Sequence, residues 1–419
     1  MLARRGGIVV EGSLIRGALQ NMPANDIVDT IAEAAAAWTD PQFEPRSTCA
    51  SHIATRTGYS LPVVQFALDH LFGAVTSSAL HSTIASELGS IDALDRFIAR
   101  PGRPDAFADR LGDVCIIASR TTIGVALLPA IFALCAKCDV TVKDREDQLI
   151  AEFFRTLAER NDVFAHAARA RSYDSREVLA PFIRQFSCVV AFGKDQTLES
   201  IRNSCAPDTR FIGFGSRASA GYIAITFGND DARLRELLER AARDVLLYET
   251  EGCMSLHVLF VEGRANAHRV AEGFADALSN ASRTFPRGAN DNAAAARFAS
   301  VRNAAAFRAS LGESSLFSGE SHAVIFSPLH QDPPSFGPRC ISVVPVDKPD
   351  EALRYLTEHG VALEAFALSE TRDDIVQMAI DAGAVRLTRF GALQTPPASG
   401  NHGGRPRITD FVRWIDRET

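Results

Sequence analysis

From residue 114 onward the chain alternates short apolar segments, rich in β-branched residues, with segments of helical length, and that alternation leaves few folds open. Val114-Cys115-Ile116-Ile117-Ala118 reads as a strand, Val125 to Lys137 as a helix, Val140-Thr141-Val142 as a strand and Glu146 to Glu159 as a helix. Strand Cys188 to Phe192, helix Asp195 to Asn203 and strand Arg210 to Phe214 continue the series. Strands joined through helices pair in parallel, with helices covering both faces of the sheet. Near-continuous apolar runs fit strands buried on both faces. A second series begins after residue 253: strand His257 to Val261, helix Ala265 to Ala281, strand Ala323 to Phe326, strand Cys340 to Val346, helix Pro349 to His359 and strand Ala362 to Leu368. Helix Ile375 to Ala382 and strand Val385 to Arg389 follow, and the alanine-rich run Ala293 to Ala309 is helix-prone. The fold class is α/β, with two parallel-sheet domains.

Residues 1 to about 110 read instead as a helical N-terminal region, with Asp26 to Trp38 and Pro62 to Leu71 the clearest amphipathic runs and Arg100-Pro101-Gly102-Arg103-Pro104 closing it. The expected organisation is this region (1–110), a first α/β domain (111–247) on which it packs, a second (248–372), and a C-terminal segment (373–419) that returns to the first and ends in a helix, Ile408 to Ile415. At 419 residues the chain exceeds one ordinary core. A formal net charge of -7 offers no overall footprint for nucleic acid.

The 8 cysteines show no framework spacing, which suits reduced thiols in a cytoplasmic protein. Cys135-Ala136-Lys137-Cys138 lies in an apolar helical run and has no second pair to complete a zinc site, so no metal is expected. Gly6, Gly7, Glu11 and Arg16 interrupt the first 20 residues, which lack the apolar core of a signal peptide. The longest apolar run, Val125 to Ala136, contains Pro129 and falls short of the roughly 20 residues that span a bilayer.

Chemistry concentrates around Tyr248-Glu249-Thr250-Glu251-Gly252-Cys253-Met254-Ser255. Asp231 to Leu247 carries Leu234, Leu237, Leu238, Ala241, Ala242 and Val245 at helical spacing, Gly252 breaks the run, and the apolar, β-branched run from Leu256 that ends at Gly263 holds the strand His257 to Val261. Cys253 therefore sits in a turn between a helix and a strand, where a thiolate nucleophile can be aimed into a cleft; a buried inert thiol is the alternative. Lys143 ends a parallel strand, within reach of a ribose or phosphate, or else is simply solvated. Ser119-Arg120-Thr121-Thr122-Ile123-Gly124 joins the first strand to its helix and can cradle an oxyanion or act only as a cap. Gly193, Gly213, Gly215 and Gly221 mark turns without the spacing of a dinucleotide fingerprint. His257 lies four residues past the cysteine on a strand and is a candidate base. No G-x-S-x-G or H-E-x-x-H motif is present.

The order of these segments resembles the acyl-CoA reductase family typified by the fatty-acid reductase of bacterial bioluminescence, a branch of the aldehyde dehydrogenase superfamily. The resemblance spans roughly residues 55 to 417. It rests on Thr57-Gly58-Tyr59-Ser60 with Asp69-His70-Leu71, on Leu128-Pro129 leading to Val142-Lys143, on Val190-Ala191-Phe192-Gly193 and on Phe214-Gly215-Ser216-Arg217-Ala218-Ser219. Glu251-Gly252-Cys253-Met254-Ser255, Val344-Pro345-Val346, His402-Gly403-Gly404 and Asp410-Phe411-Val412 complete it.

That resemblance implies an aldehyde dehydrogenase-like fold with two Rossmann-like domains, the first binding NADPH. It implies reduction of an acyl thioester, a fatty acyl-CoA or a protein-bound acyl group, to the aldehyde. Cys253 is then the acyl-accepting nucleophile, Lys143 and the Gly193 and Gly215 turns line the cofactor site, and the loop at 119–124 faces the thioester carbonyl; Thr121 and His257 are the further catalytic candidates, and Ser216 and Ser119 the further cofactor-binding ones. An acyl-protein synthetase or a downstream aldehyde-using enzyme is an expected partner, with room for a homo-oligomer; a scaffold that keeps the fold without turnover is the non-catalytic alternative.

Three departures from the superfamily bear on the chemistry. Thr121 stands where an asparagine is common. Pro334 replaces the glutamate two residues before Phe336. Glu249 and Glu251 make the segment ahead of the cysteine acidic, which is expected to raise the thiol pKa unless they are screened. In Ile223-Ala224-Ile225-Thr226-Phe227-Gly228 no glutamate is present to activate water, which favours thioester reduction over aldehyde oxidation.

Overall fold

The computed structural model describes residues 17–418 except 120–121, 144–147, 172–175, 229–230, 290–291 and 329–331. Helices α1 (Ala24–Ala37), α2 (Glu44–Thr57), α3 (Leu61–Gly73) and α4 (Ser77–Leu88) form the N-terminal region. Ile27, Val28, Ile31, Ala34 and Ala35 supply the buried stripe of α1, and the Trp38 indole N–H donates to Thr156 Oγ1 at 3.1 Å on a helix of the first α/β unit. The region does not end helically. β1 (Ile98–Arg100) and β2 (Arg103–Arg110) form a hairpin across Pro101-Gly102, with Gly102 at φ 71, the backbone such a turn needs.

The first α/β unit runs β3 (Asp113–Ile117), α5 (Leu127–Cys135), β4 (Asp139–Lys143), α6 (Leu149–Arg160), α7 (Val163–Ala167), β5 (Ala168–Arg171), α8 (Arg176–Ile183), β6 (Cys188–Phe192), α9 (Asp195–Ser204) and β7 (Arg210–Phe214). Among the described residues its strands form a parallel sheet in the order β5-β4-β3-β6-β7. The chain reverses its direction of travel between β3 and β6, which opens a crevice at their carboxyl ends.

The second unit contains β8 (Ala218–Ile223), α10 (Ile225–Gly228), α11 (Asp231–Leu246), β9 (Leu256–Glu262), α12 (Arg264–Ala281), α13 (Asn292–Ser310), β10 (Ser315–Ser318), β11 (Ala323–Phe326), β12 (Cys340–Val346), α14 (Pro349–Glu358), β13 (Leu363–Leu368), α15 (Asp373–Asp381) and β14 (Arg386–Arg389). Among the described residues its sheet has seven strands in the order β10-β11-β12-β9-β8-β13-β14, with only the β10–β11 pair antiparallel. Sheet membership departs from the boundaries expected at 247/248 and 372/373. Gly221, read as a turn, lies in the fully buried strand β8, which belongs to the second sheet, as does β14.

The last segment is a further correction. In place of a helix over Ile408 to Ile415, the chain makes a 3-10 turn, Thr409–Phe411, and a strand, β15 (Val412–Arg417), which pairs antiparallel with β2. The alternation of Val412 and Trp414 with Arg413 suits a strand, and β2 supplies the partner edge that a helix reading overlooks. Glu87 on α4 fixes this return: its carboxylate accepts the N–H groups of Arg407, Ile408 and Thr409 at 2.6, 2.9 and 3.0 Å.

Candidate active site

A cavity of about 920 Å³ lies where the carboxyl ends of the first sheet face the amino ends of β8, β9 and β13. From the first sheet come Ile117 at the end of β3 and Ser119 after it, Lys143 of β4, Phe192 at the end of β6 and Gly193 after it, and Gly215 and Ser216 after β7. From the second come Cys253 and Met254 before β9 and Glu364 of β13. Helix α3 adds Ala67, His70 and Leu71, its C-cap adds Ala74, and the C-terminal loop adds Gln394, His402 and Arg407. Of the residues singled out from the sequence, Cys253, Lys143, Gly193, Gly215, Ser216 and Ser119 thus share one cavity. Thr121 lies outside the described residues; its neighbour Thr122 lines the cavity, and its hydroxyl is 3.7 Å from where a methyl group on Gly252 would stand.

His257 is placed differently. Strand alternation turns it into the protein, where it is buried and its Nε2 pairs with the Thr250 carbonyl at 3.1 Å; it is not among the cavity-lining residues. Burial lowers its pKa to about 4, leaving a neutral ring that supports the backbone ahead of Cys253. Its expected role as base is therefore replaced by a positioning one.

Local sequence explains several placements. Gly124 has φ 66, and a Cβ there would come within 2.3 Å of Leu71 Cδ2, so only glycine lets the loop after β3 pass α3. At Gly215 a Cβ would meet Asp195 Oδ1 at 2.2 Å, the same oxygen that accepts the Ser216 N–H at 3.0 Å. The first residue of α9 and the turn after β7 are thereby locked together. His402 stacks on Phe214 at 4.2 Å between ring centroids, and Phe214 on Phe192 at 4.9 Å, which pins the C-terminal loop to the first sheet.

Among the described residues, the three that lead into the Cys253 turn form the longest run of left-handed non-glycine backbone. Tyr248, Glu249 and Thr250 have φ of 55, 53 and 59, three consecutive left-handed residues with side chains, each costing roughly 1–2 kcal/mol. Tertiary contacts hold them. Glu249 is buried in a two-pronged pair with Arg339, Nε to Oε2 at 2.7 Å and Nη2 to Oε1 at 2.8 Å, and the Arg339 N–H donates to the Glu249 carbonyl at 3.2 Å. Thr250 Oγ1 donates to the Val245 carbonyl at 2.7 Å.

Cys253 itself is half-buried. Burial, first, and then the carboxylate of Glu364 push its thiol up to about 12, against the backbone N–H groups of Cys253 and Met254 and the charge of Arg217, which favour the thiolate. The screening that Glu249 and Glu251 were expected to need is present: Glu249 pairs with Arg339, and Glu251 with Arg297. The carboxylate that counts is Glu364, far along the chain and silent in any local motif. Gln394 is a second cavity residue that sequence reading missed; its Nε2 donates to Ser255 Oγ at 2.7 Å, and Asp244 clamps its loop by accepting the Gly391 and Leu393 N–H groups at 2.6 and 3.0 Å.

Among the described residues, no group of three or more His, Cys, Asp or Glu side chains is placed to hold a metal ion, and no single helix is long and apolar enough to cross a membrane.

The family model for acyl-CoA reductase (LuxC) matches residues 19–414. The chain belongs to the acyl-CoA reductase (LuxC) family. Solved structures of similar fold include an indole-3-acetaldehyde dehydrogenase complexed with NAD+, at TM-score 0.71 and 15% identity, covering 96% of this chain and 86% of that one. An NAD-dependent benzaldehyde dehydrogenase from Corynebacterium glutamicum matches at TM-score 0.69 and 15% identity over 96% and 88%. A glyceraldehyde-3-phosphate dehydrogenase from Methanocaldococcus jannaschii, complexed with NADP, matches at 0.70 and 10% over 95% and 90%. No match is found among curated proteins. The aldehyde dehydrogenase fold expected from the sequence is thus the fold of this family member, and the protein is an oxidoreductase by family.

Proposed function

We propose that this acyl-CoA reductase family member reduces a fatty acyl thioester to the aldehyde with NADPH, through an acyl group carried on Cys253. The observation that supports this most is the shared cavity: a half-buried thiol faces the carboxyl ends of a doubly wound parallel sheet, the place where such sheets bind nucleotides. The groups there fit a nicotinamide dinucleotide. Gly193 and Gly215 leave the backbone open to close approach, Ser119 and Ser216 offer hydroxyls, and Lys143 stands at the end of the second strand of the unit. An acidic residue near that position would favour a free ribose hydroxyl, whereas a cation suits the extra phosphate of NADPH. When bound, the cofactor supplies the hydride that reduces the enzyme-held acyl group.

The chain's own residues do the rest. Cys253 attacks the thioester carbonyl, and sulfur-for-sulfur exchange is close to balanced, so positioning carries much of the catalytic load. The N–H groups of Cys253 and Met254, which face the sulfur, and the Thr122 hydroxyl are the donors available where oxyanion charge develops. Ala67 and Leu71 of α3 and Ala74 at its C-cap, with Leu128 and Met254, give the cavity an apolar wall for an acyl chain. The test is consumption of NADPH absorbance with acyl-CoAs of graded chain length, wild type beside Cys253→Ala. A clear wild-type rate abolished in the variant is expected; a rate retained without the thiol would refute the reading.

A further inference from the structure

Glu364 acts on the Cys253 thiol through its charge. It is the second residue of β13, buried, and it lines the cavity together with Cys253. Backbone registration ties the two. Ser219 Oγ, fully buried on β8, donates to the Cys253 carbonyl at 2.9 Å and accepts the Ala365 N–H at 3.2 Å, so the nucleophile and the residue after Glu364 share one hydroxyl. The charged groups facing the carboxylate are Arg217, whose Nε is 3.8 Å from Oε2, then Arg386 and Arg407, with the Gly403 N–H beside them. Each guanidinium is also held by carbonyls: Arg217 by Leu363, Arg386 by Ala392 and Leu393, Arg407 by Gly400.

We propose that Glu364 is the proton-transfer partner of Cys253, taking the thiol proton as sulfur bonds to the acyl carbon and returning it to the departing thiolate. The inference rests on the thioester-reductase reading above. The proton passes from Sγ to the carboxylate, directly or through one water, while the bond from Cys253 to the acyl carbon forms and the carbonyl becomes a tetrahedral oxyanion. The oxyanion collapses, the bond from carbon to the donor sulfur breaks, and the leaving thiolate takes the proton from the Glu364 carboxyl. No electron is gained or lost, and Glu364 ends as it began. A resting thiol held neutral by burial is a weak nucleophile, and a base that acts during attack removes the need for a standing thiolate. Burial, which raises Glu364 above the usual carboxylate range, brings its proton affinity closer to that task. The carboxylate missing from residues 223–228 is thus supplied from β13, in a place where it serves the thiol.

Two reactions of Cys253 separate this from a structural role, with Cys253→Ala as the blank for both. Alkylation by iodoacetamide reads the thiolate alone. Acylation is read as release of p-nitrophenolate from p-nitrophenyl butyrate and as release of coenzyme A from an acyl-CoA, both without nicotinamide. Glu364→Gln should alkylate several-fold faster at pH 7, having lost a negative charge beside the thiol, yet acylate about 100-fold more slowly. In the wild type, acylation should level off with pH while alkylation is still rising, and in the variant the two profiles should coincide; the wild-type arm stands even if the variant fails to fold. Equal or faster acylation in a folded Glu364→Gln overturns the proposal, as does normal acylation with loss only of acyl-enzyme hydrolysis, which would make Glu364 a water activator. Wild type that is acylated by the ester but by no acyl-CoA refutes the substrate reading and leaves the proton-transfer role standing. No thiol-dependent acylation by either donor overturns both.

Discussion

Replacing Arg339 by alanine should disable the site from a distance, because Arg339 pairs with the buried carboxylate inside the strained turn. Glu249 keeps the Gly288 N–H at 3.3 Å but loses its counter-charge, and an unpaired buried charge costs about 3–5 kcal/mol. The left-handed run at Tyr248, Glu249 and Thr250 stores a further few kcal/mol, which relaxes once its anchor is gone. Two results are expected. Urea unfolding should show a loss of about 3–5 kcal/mol, and Cys253 should lose its distinct environment, alkylating at the rate of an ordinary exposed thiol. The Glu249→Met, Arg339→Met double variant removes both charges and should regain most of the stability but little of the site geometry, since methionines cannot reproduce the two-pronged pair. The reasoning is refuted if Arg339→Ala loses less than about 1 kcal/mol, or if the double variant is as unstable as the single one.

Further outcomes follow from the same contacts. Gly124→Ala meets both a positive φ and a 2.3 Å approach to Leu71, so thermal unfolding should report a loss of about 2 kcal/mol together with reduced turnover, because the loop beside Thr122 must move. Asp244→Asn turns an acceptor facing the Gly391 and Leu393 N–H groups into a donor; a loss of about 2 kcal/mol is expected, and hydrogen exchange should show residues 391–394 released first. The thiols of Cys115, Cys135, Cys138, Cys253 and Cys340 are all raised by burial, so the folded state binds their protons more tightly than the unfolded state. The stability this brings is complete below the unfolded thiol pKa near 9 and is lost as pH rises toward 11–12, so melting temperature should hold to pH 8 and fall steeply above 9. For Cys253 alone, the alkylation rate should climb about tenfold per pH unit from 7 to 9; a plateau near pH 7 would contradict the raised thiol.

Much of this protein is legible in one dimension. The alternation of apolar runs with helical segments determines parallel sheets, since a chain returning through a helix can pair with its own strand in only that sense. Glycine 252 between the apolar face of α11 and the run at β9 determines that Cys253 lies in a turn, and the strand ends carrying Lys143, Gly193 and Gly215 determine where the first sheet can receive a ligand. Tertiary structure decided the rest. No local signal marks Glu364, because what makes it important is the neighbouring strand: β8 and β13 pair across a long stretch of chain, and only Ser219 shows that they share Cys253 between them. Strand alternation from β9 turned His257 away from the cavity although it is close to the cysteine in sequence. The tail became strand β15 because β2 offered an open edge, a partner that local pattern cannot register. The three left-handed residues before Cys253 oppose every local preference; the buried Glu249–Arg339 pair and the Thr250 contacts outweigh that cost, and they exist only once distant segments have packed.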